Sequence, residues 1–242
     1  MIPAPHEHLL SDAALARSEV VANSTMNRER GLLGRNSYAL DLSFDVLASL
    51  RKRLQERGRV AWLDLCCGTG RALIEAGVHL NDEAPPDAVE IRGVDLVEHF
   101  APVPAGLEAV RMEAASLSEW QPERAYDLIT CVHGLHYVGD KLGLISRAVS
   151  WLEPDGLFLA HLDLDNLRLE DGRPHPRRFS SALKAAGLRY DSRKKLLAAT
   201  GGRRVDFPLA FLGADDRAGP NYTGQPAVSS WYRDAGAPGE RS

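Results

Sequence analysis

Val60-Ala61-Trp62-Leu63-Asp64-Leu65 runs directly into Cys66-Cys67-Gly68-Thr69-Gly70 and then into Arg71-Ala72-Leu73-Ile74-Glu75-Ala76-Gly77. The first six residues form a short apolar run carrying one carboxylate, the composition of a strand buried on both faces. The next five contain two glycines, which turn freely and lack the Cβ that would hold a ligand off the backbone. The last seven read as a helix. A strand, a glycine turn and a helix in this order open a doubly wound α/β sheet with a ligand at the turn.

The alternation continues outward from this unit. Upstream, Phe44, Leu47, Leu50 and Leu54 recur at helical spacing from Ser43 on, and Gly58 stands where a left-handed C-cap belongs. Downstream, strands are predicted at Val89 to Leu96, Glu108 to Met112, Asp127 to Val132 and Gly156 to Leu162, with a helix over 141–152. Pro176 to Ala186 predicts a helix ending at Gly187. The β-prone segments Lys195 to Ala199 and Val205 to Leu212 flank Gly201-Gly202, the signal of a hairpin. The expected fold is therefore α/β, Rossmann-like and doubly wound: a mostly parallel seven-stranded sheet with an antiparallel edge strand and helices on both faces.

At 242 residues and 44% hydrophobic content the chain can bury one substantial core, and one domain over 1–242 is expected. Residues 1–42 read as a cover or lid, with a short helix at Asp12 to Val21 and a Gly-rich basic stretch from Arg28 to Arg35; 43–212 form the core, and 213–242 an irregular C-terminal segment. No run of about 18 apolar residues occurs, and Met1 to His8 lacks the succession of a secretory signal, so a cytoplasmic protein without membrane contact is expected. Cys66, Cys67 and Cys131 are odd in number and without paired metal-ligand spacing; they read as reduced, small apolar residues. A net charge of −4 disfavours a general nucleic-acid binder. The basic run from Arg168 to Arg204 reads as solvated surface or, alternatively, as a dock for an acidic or phosphorylated acceptor.

Asp95, in Gly93-Val94-Asp95-Leu96, ends the second predicted strand 25 residues after Gly70. A carboxylate there accepts hydrogen bonds from both hydroxyls of a ribose. The dinucleotide pattern G-x-G-x-x-G would need a glycine at 73, where Leu73 stands, so a nucleoside without pyrophosphate fits better.

With these residues the chain resembles the class I S-adenosylmethionine-dependent methyltransferases of the Rossmann-like superfamily. Their first motif is similar to Leu63-Asp64-Leu65-Cys66-Cys67-Gly68-Thr69-Gly70, and the resemblance runs from about Ser43 to Leu212. Cys66 stands where the commoner motif has glycine, and the two-cysteine form is similar to that of quinone-biosynthesis methyltransferases, which the rest of the chain does not resemble. The resemblance implies S-adenosylmethionine as cofactor and S-adenosylhomocysteine as product. It assigns Asp64, Gly68 and Gly70, with Cys66, Cys67 and Thr69 between them, to the methionine end and the turn. Asp95 falls to the ribose hydroxyls and Leu96 to the adenine ring. Glu113 and Ala114, within Arg111-Met112-Glu113-Ala114-Ala115-Ser116-Leu117, fall to the purine edge. Tyr126-Asp127-Leu128-Ile129 resembles the fourth-strand motif, after which Cys131 to Tyr137, including Val132 and His133, would line the pocket nearest the methyl group. Leu152-Glu153-Pro154-Asp155-Gly156-Leu157 resembles the turn into the fifth strand. Tyr38 of the N-terminal segment joins the expected cofactor residues as an aromatic near the sulfonium.

A sulfonium is already a good leaving group, so the protein mainly aligns the acceptor and excludes water. An acceptor that must lose a proton also needs a base, and His133 and His136 in Val132-His133-Gly134-Leu135-His136-Tyr137 are the candidates; otherwise they shape the pocket. His161 at the fifth strand's end carries the same alternatives. His161-Leu162-Asp163-Leu164-Asp165-Asn166 alternates polar groups that suit magnesium, but Val132-His133-Gly134 occupies the place where metal-dependent relatives carry an acidic ligand, so no metal is expected. Tyr222, Trp231 and Tyr232 either face the sulfonium or anchor the C-terminal segment.

The expected function is methyl transfer by in-line displacement to a small-molecule, natural-product or peptide acceptor, at oxygen, nitrogen or carbon, by a monomer or homodimer. Two alternatives stand beside it. One is methylation of RNA or protein docked on the 168–204 stretch, although the Asn/Asp-Pro-Pro-aromatic motif of amino-methylating nucleic-acid enzymes is missing after the fourth strand. The other is a cofactor-binding protein or cyclase that transfers no methyl group.

Overall fold

The computed structural model describes residues 8–15, 17–22, 29–85 and 87–236. Met1 to Glu7, Arg28 and the last six residues, on which parts of the leader, basic-stretch and C-terminal readings fall, lie outside the described residues.

The N-terminal segment holds α1 (Asp12–Leu15) and α2 (Glu19–Ala22), two single turns where one helix was expected. They are separated at Ser18, whose hydroxyl accepts from the Val20 backbone N–H at 3.3 Å and donates to Asp216 at 2.6 Å. Next comes α3 (Tyr38–Leu42), capped by the Ser37 side chain. The helix α4 (Val46–Arg57) starts at Asp45, whose carboxylate accepts from the Ala48 backbone N–H, and stops at Gly58 in the left-handed conformation, as the sequence predicts.

The strands follow in register with the reading of the sequence: β1 (Val60–Leu65), β2 (Val89–Asp95), β3 (Val110–Ala114), β4 (Tyr126–Cys131) and β5 (Leu152–His161), interleaved with α5 (Arg71–Asn81) and α6 (Lys141–Ser150). After a short β6 (Leu167–Leu169) and α7 (Pro176–Ala185), β7 (Arg189–Asp191) and β8 (Leu196–Thr200) complete a seven-stranded sheet of order β3-β2-β1-β4-β5-β8-β7. Strands β1 to β5 pair in parallel; β8 runs antiparallel to both β5 and β7. All six side chains of β1 are buried, because helices cover both faces of the sheet. On one face Leu144, Ile145 and Phe179 from α6 and α7 close the core; on the other Leu50, Leu73 and Ala76 from α4 and α5 pack around Trp62.

Gly201-Gly202 is not the turn of a hairpin between 195–199 and 205–212. The hairpin partner of β8 is β7, reached across residues 192–195, where Lys195 adopts a left-handed φ of 52°. The Gly201 N–H donates to the Gly156 carbonyl at 2.8 Å and the Gly202 N–H to the Glu153 carbonyl at 2.9 Å. A Cβ on Gly202 would lie 1.9 Å from the Leu152 carbonyl oxygen, so the glycine pair lets the chain press against the backbone of β5.

The chain then leaves the main sheet. A second, three-stranded sheet of order β6-β10-β9 forms from β9 (Leu209–Asp215) and β10 (Ser229–Asp234), so the C-terminal segment expected to be irregular carries an ordered strand. It is tied to the body by the fully buried Lys141, whose ammonium donates to the carbonyls of Val138 (2.9 Å) and Val228 (2.7 Å) and to the Ser230 hydroxyl (3.0 Å). Among the described residues no helix is long and apolar enough to cross a membrane.

Candidate functional site

The carboxyl ends of β1 to β4 surround a cavity of about 900 Å³, open mouth included. Its wall takes Cys66 and Gly68 after β1, Asp95, Leu96 and Val97 at the end of β2, Ala115 to Ser118 after β3, and Val132, His133 and Gly134 after β4. Parallel sheets place ligands at this edge because consecutive strands deliver their loops there. Tyr137 to Asp140 and Arg147 close one side, and Leu15 and Val21 of the N-terminal segment the other.

The first turn is built on left-handed backbone at Cys66 (φ 58°), Gly68 (φ 60°) and Gly70 (φ 72°). Cys66 carries this conformation with a Cβ, at a cost of roughly 1–2 kcal/mol. At Gly70 a Cβ would fall 1.8 Å from the sulfur of Met112, which rules out a side chain without displacement of Met112. Asp95 braces the turn from the neighbouring strand: its Oδ2 accepts from the Gly68 N–H at 2.9 Å and its Oδ1 from the Val97 N–H at 3.1 Å. Each oxygen keeps a further lone pair for a ligand hydroxyl.

Asp64 sits beneath the turn, wholly buried and outside the cavity wall. The Tyr38 hydroxyl donates to its Oδ2 at 2.6 Å and the Thr130 hydroxyl donates to its Oδ1, while Trp62 donates from Nε1 to Thr130 at 2.8 Å. Burial drives the Asp64 pKa up to about 7; the bonds from Thr130 and Tyr38 oppose this, and the charge of Asp95 adds to it. Tyr38 is buried with it, so its hydroxyl is committed to Asp64. The Cys66 thiol is pushed up by its hydrogen bond with Cys131 and by burial, and the Cys67 thiol by burial, which keeps both neutral.

Of the other expected cofactor residues, Cys66, Gly68, Asp95, Leu96, Val132 and His133 stand together in the wall, whereas Cys67, Thr69, Gly70, Glu113 and Ala114 do not. Glu113 accepts from the Trp120 indole N–H at 2.7 Å and pairs with Arg92 at 3.5 Å; Ala114 is exposed. Ser116, Leu117 and Ser118 enter the wall instead, directly after β3. Their signal in the sequence is position: the wall residues follow a strand end, as Val97 and Gly134 also do. Arg147 was reachable only in three dimensions; its guanidinium donates to the Leu117 carbonyl at 2.6 Å.

Three buried histidines lie beside the wall. His133 has left-handed backbone (φ 59°), and its ring stacks on that of His161 with centroids 4.1 Å apart and planes 2° from parallel. Its Nε2 is 3.4 Å from Asp41 Oδ2, and its Nδ1 3.4 Å from the Tyr222 hydroxyl. Tyr222 is 41% exposed and covers the group, meeting the His136 ring edge-on at 5.4 Å. Burial holds the pKa of His136 well below 6.5 and lowers that of His161 to about 3, each helped by the charge of neighbouring groups including His133, so both rings are neutral at neutral pH. His136 is fully buried and not part of the wall.

Several cations of the 168–204 stretch are taken up by the chain itself. Arg178 pairs with Asp234, Arg204 with Asp206 and Lys195 with Asp163, and Arg203 donates to carbonyls around Gly187 and Thr200. Trp231 and Tyr232 are buried in the second sheet, where the Tyr232 hydroxyl meets Asp140 and the Leu142 N–H.

A doubly wound sheet of this order, with a left-handed turn after β1 and a carboxylate at the end of β2 in one cavity wall, defines the class I, Rossmann-like methyltransferase fold. The family described as a methyltransferase domain matches residues 36–197, and the chain belongs to that family. No curated protein matches it in sequence. Among solved structures it is similar to a methyltransferase from Thiobacillus denitrificans in complex with S-adenosyl-L-homocysteine, at 19% identity over 59% of this chain and 53% of the other, with a TM-score of 0.40. An amino pentose methyltransferase of calicheamicin biosynthesis from Micromonospora echinaspora matches at 21% identity over 47% of each chain, TM-score 0.33. The [4+2]-cyclase SpnF matches at 17% identity over 63% of this chain and 60% of the other, TM-score 0.41. The chain thus spans between 47% and 60% of the length of these three structures.

Proposed function

We propose that this single-domain chain is an S-adenosylmethionine-dependent methyltransferase acting on a small-molecule, natural-product or peptide acceptor. The observation that carries the reading is Asp95: a carboxylate in the cavity wall, fixed by two backbone N–H groups and with lone pairs left over, beside a turn whose backbone lines the same space. Asp95 would hold the ribose hydroxyls. Leu96, Val97 and Leu117 offer apolar surface to the adenine, and Ser116 and Ser118 offer hydroxyls near its edge. Asp64, sealed by Tyr38 and Thr130, would set the turn's position from below and make no contact of its own. When bound, the cofactor supplies an electrophilic methyl group on sulfur.

The apolar part of the wall would limit water at the reacting atoms, and His133, in the wall nearest β4, would take the acceptor's proton. His136 and His161 would support its ring. The internal pairing of Arg178, Lys195 and Arg204 favours a small acceptor over a macromolecule docked there.

Calorimetry of the full chain with S-adenosylhomocysteine tests the cofactor reading, with saturable one-to-one uptake expected; absence of uptake overturns it. Incubation with S-adenosylmethionine and panels of hydroxylated and amino compounds tests turnover. Accumulation of S-adenosylhomocysteine with one panel member supports transfer, whereas uptake with no turnover on any acceptor returns the cyclase or binding-protein reading.

A further inference from the structure

We propose that Asp41 is the positioning residue of the site, biasing the proton of His133 to Nε2 and leaving Nδ1, the nitrogen beside the Tyr222 hydroxyl, to accept the proton of the acceptor. This deepens the methyltransferase reading and rests on it for the identity of the acceptor.

The geometry points to it from three sides. Asp41, on α3, approaches His133 Nε2 at 3.4 Å, while the opposite ring nitrogen faces the Tyr222 hydroxyl at 3.4 Å. Nε2 makes no hydrogen bond in the structure, and an ionised carboxylate accepts and never donates, so its charge favours the hydrogen on this nitrogen and leaves the lone pair on the other. Arg30 pairs with the same Asp41 oxygen through its Nε. Burial raises the Asp41 pKa, but the approach of His133 and Arg30 outweighs it and holds the group at about 2, so it is ionised at neutral pH. The stacked His161 and the edge-on His136 are both neutral there. Asp41 acts on His161 as well, through its charge and its backbone, but of the three imidazoles His133 is the one that reaches the cavity wall.

The Tyr222 hydroxyl marks where a hydroxyl meets Nδ1. An acceptor O–H or N–H that takes the place of the Tyr222 hydroxyl would give its proton to Nδ1 as its own atom bonds to the methyl carbon. The bond from that carbon to sulfur would break with its electron pair going to sulfur, and Asp41 would stabilise the imidazolium that forms. Nothing in the order of residues announces this pair: Asp41 lies 92 positions before His133, in the segment read as a cover.

The test is nitrogen-15 NMR of histidine-labelled full chain, read for the ring nitrogens of His133 at neutral pH, with and without S-adenosylhomocysteine. The wild type is expected to show a protonated, pyrrole-type Nε2 and a bare, pyridine-type Nδ1. In Asp41→Asn the two nitrogens are expected to move toward averaged shifts as the tautomers mix. A pyrrole-type Nδ1 in the wild type, or unchanged shifts in Asp41→Asn, overturns the proposal. Should Asp41→Asn fail to fold, the wild-type tautomer alone decides. Uptake of S-adenosylhomocysteine measured on the same samples keeps the two readings apart: lack of uptake removes the methyltransferase reading, while the tautomer result still judges the Asp41–His133 pair.

Discussion

The hydroxyl of Tyr38 donates to Asp64 Oδ2 at 2.6 Å, joining the N-terminal segment to the strand that leads into the cofactor turn. Both residues are buried, and the Thr130 hydroxyl satisfies the other oxygen. The carboxylate under the turn is thus held by neighbours on either side and not by solvent.

Asp64 makes stability depend on pH in a direction opposite to most carboxylates. Its pKa in the fold is about 7 against an ordinary value of 3.8. Below the lower value both states hold the proton; as pH rises the unfolded chain releases it first, so stability falls until the folded group titrates near pH 7. Asp64→Asn should remove this decline. At about 1.4 kcal/mol per pKa unit, the variant should gain on the wild type by a few kcal/mol between about pH 4 and 7. The buried histidines act in the opposite sense and cancel in the comparison. Urea unfolding of both proteins across this range checks it; parallel curves would refute the raised pKa of Asp64.

Tyr38→Phe removes only the hydroxyl. It should cost about 1–3 kcal/mol of stability, the penalty for leaving a buried polar partner short of a bond. Cofactor uptake should change little, because Tyr38 does not reach the cavity wall. Thermal unfolding and calorimetry on the same variant separate the two effects.

Asp95→Ala should weaken affinity for S-adenosylhomocysteine by about 1–3 kcal/mol and lower stability as well, since the Gly68 and Val97 N–H groups lose their acceptor. Unchanged affinity in calorimetry would remove Asp95 from the ligand contacts.

His133→Ala and His136→Ala should differ. The first should lower turnover by about a hundredfold or more with cofactor affinity nearly unchanged, the usual contribution of a positioned base. The second, fully buried and outside the wall, should show chiefly as a lower unfolding midpoint. Equal turnover in His133→Ala and wild type would exclude His133 as the base.

Gly202→Ala should destabilise by about 3 kcal/mol or more. Its Cβ would meet the Leu152 carbonyl at 1.9 Å, and a backbone atom cannot rotate aside as a side chain can. A near-neutral effect would mean that the chain does not press against β5 there.

The sequence alone determined the parallel sheet, the turn at 66–70 and the carboxylate at the end of β2. These features rest on local signals: apolar runs, glycines where φ turns positive, and a fixed spacing between one strand end and the next. The second sheet was not legible, because β6 is only three residues long, its partners lie some 40 to 65 positions further on, and glycine and proline between β9 and β10 imitate a loop. The fates of Asp64 and Glu113 were not legible either: both are acidic residues in motif positions, yet Tyr38 and Thr130 take one and Trp120 and Arg92 the other. Only the tertiary structure decided that Asp41 meets His133 and that Tyr222 covers it. Such pairings depend on where loops return after tens of residues, and a one-dimensional pattern carries no record of that.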